Sequence, residues 1–142
     1  FSYLSIHYNS YWWQCRSLDQ LLVEDEYLEI NELRAKAMEF IDNNGDGSCE
    51  YCKGYGVSSS SDNPVKAVIS LQNDRGTSYG MYVKVQNELV AAYEDLRERY
   101  AEEEYGRSYR GMDPEEDEEI IKEIKNAYQQ KISEAEPLNI GG

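Results

Sequence analysis

The chain has 142 residues, enough for one domain with a buried core, and its 14 basic and 28 acidic side chains give a formal charge of −14. This charge repels nucleic-acid phosphates and anionic membrane surfaces, so both classes of partner are disfavoured. No stretch reaches the roughly 20 apolar residues that span a bilayer, and no export signal precedes the first strand. We therefore expect a fragment, or a mature product that has lost its anchor.

Two strands are predicted at the start of the chain. Residues 3–8 alternate large and small side chains, and residues 20–24 are mostly apolar. Between them lies the aromatic cluster Tyr11-Trp12-Trp13. The sequence leaves open whether this cluster is an exposed docking patch or a satellite core over the sheet edge.

A first helix follows, with Asn31 as its expected N-cap. Its apolar stripe repeats at helical spacing and comprises Leu33, Ala37, Phe40 and Ile41. Residues 43–64 are rich in Gly, Ser, Asp and Asn, which predicts a polar surface insertion outside the core.

The second half begins with a short β-rich segment, residues 66–71, which suits a central strand and is followed by a turn. A long helix is predicted from about Gly80 to Tyr105. Its expected inner stripe is Val85, Leu89, Tyr93, Leu96 and Tyr100. Its expected solvent-facing residues are Glu88, Glu94, Arg97 and Glu98.

Residues 101–128 lengthen this helical region, and a further helix is predicted to start at Asp113-Pro114, with Asp113 as cap and Glu116 in a capping box. Residues 131–133 are the last strand candidate. The order β-β-α-β-α-α-β predicts a single α+β domain over residues 1–142, with a small mixed sheet and helices on one face.

Cys49 and Cys52 form a C-x-x-C that, with the following glycines, matches one copy of a chaperone-type zinc motif. One copy supplies two of the four ligands that structural zinc requires, and Cys15 and His7 are the other soft donors. A local disulfide or a loop without a chemical role is favoured over a metal site, and a polar loop is not where redox thiols are normally activated. We expect no metal site and no cofactor, with Cys49 and Cys52 as the candidates if one exists.

Two further motifs are incomplete. Residues 42–47 begin like an EF-hand calcium loop, but the twelfth position is Lys53, where a bidentate Glu is required. His7 is the sole histidine, and no nucleophile elbow accompanies it. The sequence therefore predicts a protein that is not an enzyme.

The segment KAVISLQNDRGTSY at 66–79, followed by YVKVQNEL at 82–89, resembles the strand, Asp, Tyr and helix of the ExbD/TolR periplasmic domain. Residues 3–6 and 20–23 look like the first two strands of this family of biopolymer transport proteins, and residues 33–37 like its first helix. The chain is similar in particular to long ExbD-like proteins of Bacteroidetes, which share sequence segments such as DQLLVE and KISEAEP. The resemblance omits residues 10–17 and 43–63.

This resemblance implies a subunit with a single-pass anchor, on the periplasmic side of the bacterial inner membrane. Such a subunit works with an ExbB-like channel and transmits proton-driven motion to a TonB-like protein for outer-membrane transport. The proton-handling Asp of the family lies in a transmembrane helix that is absent from this chain. The chain would therefore supply the coupling end, and a homodimer is expected.

The candidate partner contacts are Asp74 and Tyr79 at the family positions, and Tyr3, Leu4 and Ile6 on the first strand. The competing interpretation is structural, with Asp74 capping a turn and Tyr79 packing at the helix start. Two other functions stay open. One is a TolR-like module that binds the cell wall, and the other is a metal- or redox-active domain using Cys49 and Cys52.

Overall fold

The computed structural model describes residues 2–11, 18–73 and 79–135. The strands are β1 (Ser2–Tyr11), β2 (Leu18–Val23), β3 (Glu26–Tyr27), β4 (Ala67–Asn73) and β5 (Ile132–Ala135). The helices are α1 (Ile30–Ile41), α2 (Tyr79–Tyr105) and α3 (Glu118–Ala127), with a 3-10 turn at Tyr109–Gly111.

The strands form one mixed sheet in the order β3-β2-β1-β4-β5. β1 pairs antiparallel with β2 and parallel with β4, and β5 extends the sheet parallel to β4. A mixed sheet combined with three helices confirms the predicted α+β class. The strand that opens the chain is therefore central, and β3 and β5 lie at the two edges.

Alternation along the strands separates a covered face of the sheet from an open one. Leu4 pairs with Ile69 and Ile6 with Leu71, and all four side chains are buried. The intervening residues, such as Tyr3, remain partly or largely exposed. The helices thus cover one face, and each large apolar side chain buried there contributes about 1.5–3 kcal/mol.

The first helix buries the predicted stripe, because Leu33, Ala37, Phe40 and Ile41 are all in the core. Its start differs from the prediction. Glu29 rather than Asn31 occupies the N-cap, where it forms a capping box with Glu32. The N–H of Glu29 donates to the Glu32 carboxylate at 3.2 Å. The helix therefore begins earlier than the Asn31 cap predicted.

The inner stripe of α2 is buried from Val85 to Leu96, but one of the residues predicted to face water is buried as well. Arg97 is only 7% exposed. Its Nε donates to the backbone oxygen of Tyr128 at 3.1 Å, and its Nη1 lies 3.4 Å from the Glu94 carboxylate. The prediction was wrong because the segment after α3 packs over this turn of α2, which the helical periodicity alone does not reveal.

The third helix begins at Glu118, later than the predicted start at Asp113. The Asp113 carboxylate does act as a cap, accepting the N–H groups of Glu115 and Glu116 at 2.8 and 3.1 Å. One half of the predicted capping box is therefore present, but the reciprocal bond is not made by Glu116, because the N–H of Asp113 donates to the Asp117 carboxylate at 3.0 Å. The helical extension has a small core of its own, formed by Ala101, Met112 and Ile124.

Candidate partner-binding site

The first strand contributes one accessible candidate. Leu4 and Ile6 are 3% and 0% exposed under the helices, so their predicted contact with a partner does not fit the structure. From Ile6 to Tyr8, β1 pairs with β2 on one side and with β4 on the other, so this stretch offers no free edge. A strand pattern in sequence does not disclose the position of the strand in the sheet. Tyr3 lies on the open face and is 60% exposed.

Of the two candidates in the strand–turn–helix segment, Asp74 lies outside the described residues, and Tyr79 is the first residue of α2. Tyr79 is 79% exposed, which does not fit the alternative that it packs into the core at the helix start. Its ring stacks on that of Tyr82, with centroids 6.1 Å apart and planes inclined by 20°. The exposed Tyr79 and the partly buried Tyr82 thus form an aromatic stack at the start of α2.

Tyr82 connects this stack to the edge strand β5. The Tyr82 hydroxyl donates to Oε1 of Glu134 at 3.3 Å, and the Gln86 amide donates to the same oxygen. Tyr82 and Gln86 are four residues apart, so they share one side of the helix. The nearby charge of Glu134 is the main cause of a raised Tyr82 pKa. We call Tyr79, Tyr82, Gln86 and Glu134 the edge cluster.

Sequence reasoning missed three members of the edge cluster. The spacing of Tyr82 and Gln86 was a usable signal, since it places them on one helix face. Nothing in the sequence placed Glu134 beside them, because that neighbourhood depends on β5 pairing parallel to β4.

The backbone of β5 has an unpaired side. The N–H of Ile69 donates to the carbonyl of Lys131 at 2.9 Å, and Ile69 is the register partner of Ile132. In a parallel ladder, the residues flanking a register partner make the bonds, so the backbone groups of Ile132 and Glu134 point away from β4. Within the described ranges, no strand pairs with this outer side. It can accept an added strand.

The cysteine loop takes part in a different structure. Cys49 and Cys52 form a disulfide, so neither sulfur is a free thiolate ligand. No group of three or more His, Cys, Asp or Glu residues suited to a metal ion occurs in the part of the chain that the structure describes. The cysteines act here as a covalent clip, so the local disulfide is the one of the alternatives left open by the sequence that the structure contains.

The residues of the incomplete calcium motif are used in hydrogen bonds within the loop. Asn43 bonds to both backbone groups of Val57, at 2.8 and 2.9 Å, and donates to the Ser61 carbonyl at 2.6 Å. Asn44 bonds to both backbone groups of Cys49, at 2.9 and 3.0 Å. Asn43, Cys49 and Ser61 are consequently buried, so the expectation that all of segment 43–64 lies outside the core was wrong.

A polar cluster fastens this loop to the helices. Asp42 is a buried residue, and its carboxylate accepts two hydrogen bonds from Arg99, at 2.9 and 3.1 Å, and one from the Tyr128 hydroxyl at 2.5 Å. Burial, then the hydrogen bond to Asp42, raises the pKa of Tyr128. Tyr51 packs edge-on against Tyr128 at 5.3 Å and donates to the Ala127 carbonyl at 2.6 Å. We call Asp42, Tyr51, Arg99 and Tyr128 the brace.

Comparison with known proteins adds no assignment: no family model, curated protein or solved structure matches the chain. Among the described helices, none has both the length and the apolar character needed to cross a membrane.

Proposed function

We propose that this chain is the periplasmic coupling domain of an ExbD/TolR-type energy-transducing subunit, and that it is not an enzyme. It binds a TonB-like protein as an extra strand along β5. An ExbB-like channel in the inner membrane drives the subunit, through an anchor outside this chain, and the domain works as a homodimer.

The observation that carries this proposal is the coincidence of an unpaired edge with an exposed Tyr79. Ile132 and Glu134 direct their backbone groups outward, and Glu134 is tied to the same helix end that bears Tyr79. Tyr79 is also the tyrosine on which the family resemblance centres. The opposite edge strand, β3, has two residues and offers less pairing surface.

The strength of such a contact can be bounded. The four outward groups of Ile132 and Glu134 can each form one backbone hydrogen bond worth a net 0.5–1.5 kcal/mol, about 2–6 kcal/mol together. A dissociation constant of 1 μM requires about 8 kcal/mol. Backbone pairing alone is therefore weak, which suits a partner that binds and releases repeatedly.

Photo-crosslinking in cells tests the proposal. A photoreactive amino acid replaces Ser133, an exposed residue on β5, in the full-length protein expressed with its ExbB-like and TonB-like partners. The matched control places it at the exposed Lys125 of α3. We expect a crosslink to the TonB-like protein from position 133 and none from 125. Equal crosslinking from both positions, or none from 133, contradicts the proposal.

A binding assay with isolated peptidoglycan addresses the cell-wall alternative. The proposed coupling role predicts that the chain stays in solution when peptidoglycan is sedimented. Co-sedimentation together with no crosslink from position 133 would favour a TolR-like cell-wall module instead.

A further inference from the structure

The edge cluster has the chemistry to select one kind of side chain on an incoming strand. This inference rests on the proposed function, because it assumes that a strand pairs with β5. Since backbone pairing supplies only part of the free energy of binding, side chains beside the edge must supply the rest. The edge cluster lies directly beside the β5 edge.

An added strand lies about 4.8 Å beyond β5, and its side chains alternate between the two faces of the sheet. Glu134 extends its side chain to the helix-covered face, where Tyr82 contacts it. The residue of the added strand that is directly opposite Glu134 has its Cβ about 4.5–5.5 Å away, on this same face. That residue is in reach of the Glu134 carboxylate and of the Tyr79–Tyr82 stack.

Both of these groups attract a cation. The carboxylate is held in place by Tyr82 and Gln86, which bond to Oε1, so Oε2 accepts neither of these two bonds. Tyrosine rings attract Lys or Arg at their faces, by about 0.5–1 kcal/mol at exposed sites. The charge of −14 adds a long-range attraction for basic partners and repels acidic ones.

We propose that the partner strand carries a Lys or Arg opposite Glu134, and that this cation lies against the carboxylate and the Tyr79–Tyr82 stack. An acidic residue at that position faces like charge. An apolar one displaces water from the carboxylate without replacing its hydrogen bonds.

Model peptides test this selectivity on the whole chain. The probes are fluorescent heptapeptides of alternating Thr and Val with Lys, norleucine or Glu at the centre, measured by anisotropy at low salt. We expect the Lys peptide to bind at least tenfold more tightly than the Glu peptide and about threefold more tightly than the norleucine peptide. The advantage should shrink as salt is raised.

Variants assign the effect to the edge cluster. Glu134→Gln keeps an amide oxygen for Tyr82 and Gln86 but removes the charge, and should reduce the Lys-over-Glu preference to threefold or less. Tyr79→Leu should weaken binding of the Lys peptide two- to fivefold. The control Glu116→Gln, an exposed residue before α3, should leave all affinities unchanged.

The outcomes separate this inference from the proposed function. Equal affinity for the Lys and Glu peptides, or a Lys preference that survives Glu134→Gln, overturns the inference while strand pairing stands. If no peptide binds, both the inference and strand addition at β5 are refuted. Strand pairing requires the backbone N–H groups of the peptide. If any peptide binds, a Lys peptide methylated on its backbone nitrogens should therefore not bind, whether or not a Lys preference is found.

Discussion

Replacing Asp42 by Asn is the sharpest test of the brace. The carboxylate receives four donors: two N–H groups of Arg99, the Tyr128 hydroxyl, and the backbone N–H of Lys53 at 3.1 Å. An Asn has the same shape but presents an NH₂ group to some of these donors. It also leaves the Arg99 guanidinium without its buried counter-charge.

The expected loss of unfolding free energy follows from the burial of the Asp42–Arg99 pair. Removing one partner of a buried ion pair costs about 3–5 kcal/mol, because the remaining charge is left uncompensated. The side chain of Arg99 is 29% exposed and that of Asp42 only 7%, so water partly screens the orphaned guanidinium. We therefore expect Asp42→Asn to lower the free energy of unfolding by about 2–4 kcal/mol. This is a large share of the about 5–15 kcal/mol of a typical domain.

Urea unfolding followed by far-UV circular dichroism measures this change, with an unchanged denaturant slope showing that the two states compared are the same. Glu103→Gln is the control, since the Lys53–Glu103 pair is 57% and 43% exposed and should contribute less than about 0.5 kcal/mol. Adding Arg99→Met to Asp42→Asn should recover at least about 1 kcal/mol by removing the orphaned charge. Equal losses in Asp42→Asn and Glu103→Gln would refute the reasoning.

Three further predictions concern stability. Replacing Cys49 and Cys52 together by Ser opens a four-residue covalent loop and should cost about 2 kcal/mol, and a reducing agent should then no longer shift the urea midpoint. Gly54→Ala should cost about 3 kcal/mol or more, because its Cβ would lie 2.3 Å from a backbone oxygen. Gly80→Ala places its Cβ with nothing within 4 Å and should stabilise the helix by about 0.5–1 kcal/mol. Similar urea midpoints for the two variants would contradict this. Tyr128 has a folded-state pKa above its ordinary value of 10.0, so its stabilising contribution is complete below pH 10 and is lost as the pH rises through the folded-state pKa. The melting temperature should therefore fall less steeply with pH above pH 10 for Tyr128→Phe than for the native chain.

The fold was largely readable from the sequence where local pattern decides structure. The stripe of α1 and most of the inner stripe of α2 are buried as their periodicity predicts, since one face of each amphipathic helix must cover the sheet. The four longer strands were also found, because alternation and β-branched residues identify them. These features depend on residues close together in the chain.

The features that the sequence did not disclose all depend on distant contacts. Arg97 was expected in water because the return of the chain after α3 is invisible to helical periodicity. Leu4 was expected to contact a partner because a strand pattern does not distinguish a central strand from an edge. The polar insertion was expected outside the core, yet Asn43 is buried because its amide satisfies the backbone of residues 14 and 18 positions away.

The brace and the β5 edge are linked through the chain itself. Tyr128 belongs to the brace, and its carbonyl also accepts a hydrogen bond from Arg97. Three residues later, the N–H of Lys131 donates to the Tyr93 hydroxyl at 3.2 Å, and its carbonyl accepts from Ile69. The segment leading into β5 is therefore held at both ends by α2 and β4.

This arrangement bears on how a four-residue edge strand can serve as a docking site. A strand of this length gains little from its own ladder, and a binding edge that must first be ordered loses affinity to that ordering. Here the contacts of the buried Tyr128 and of the half-buried Lys131 hold the start of β5 before any partner binds. Under the proposed function, a load applied to β5 by a paired strand passes first to Lys131 and Tyr128, and so to the brace. Under the same proposal, the cysteine loop is part of the support of the edge, because Tyr51, which lies between the two bonded cysteines, packs against Tyr128.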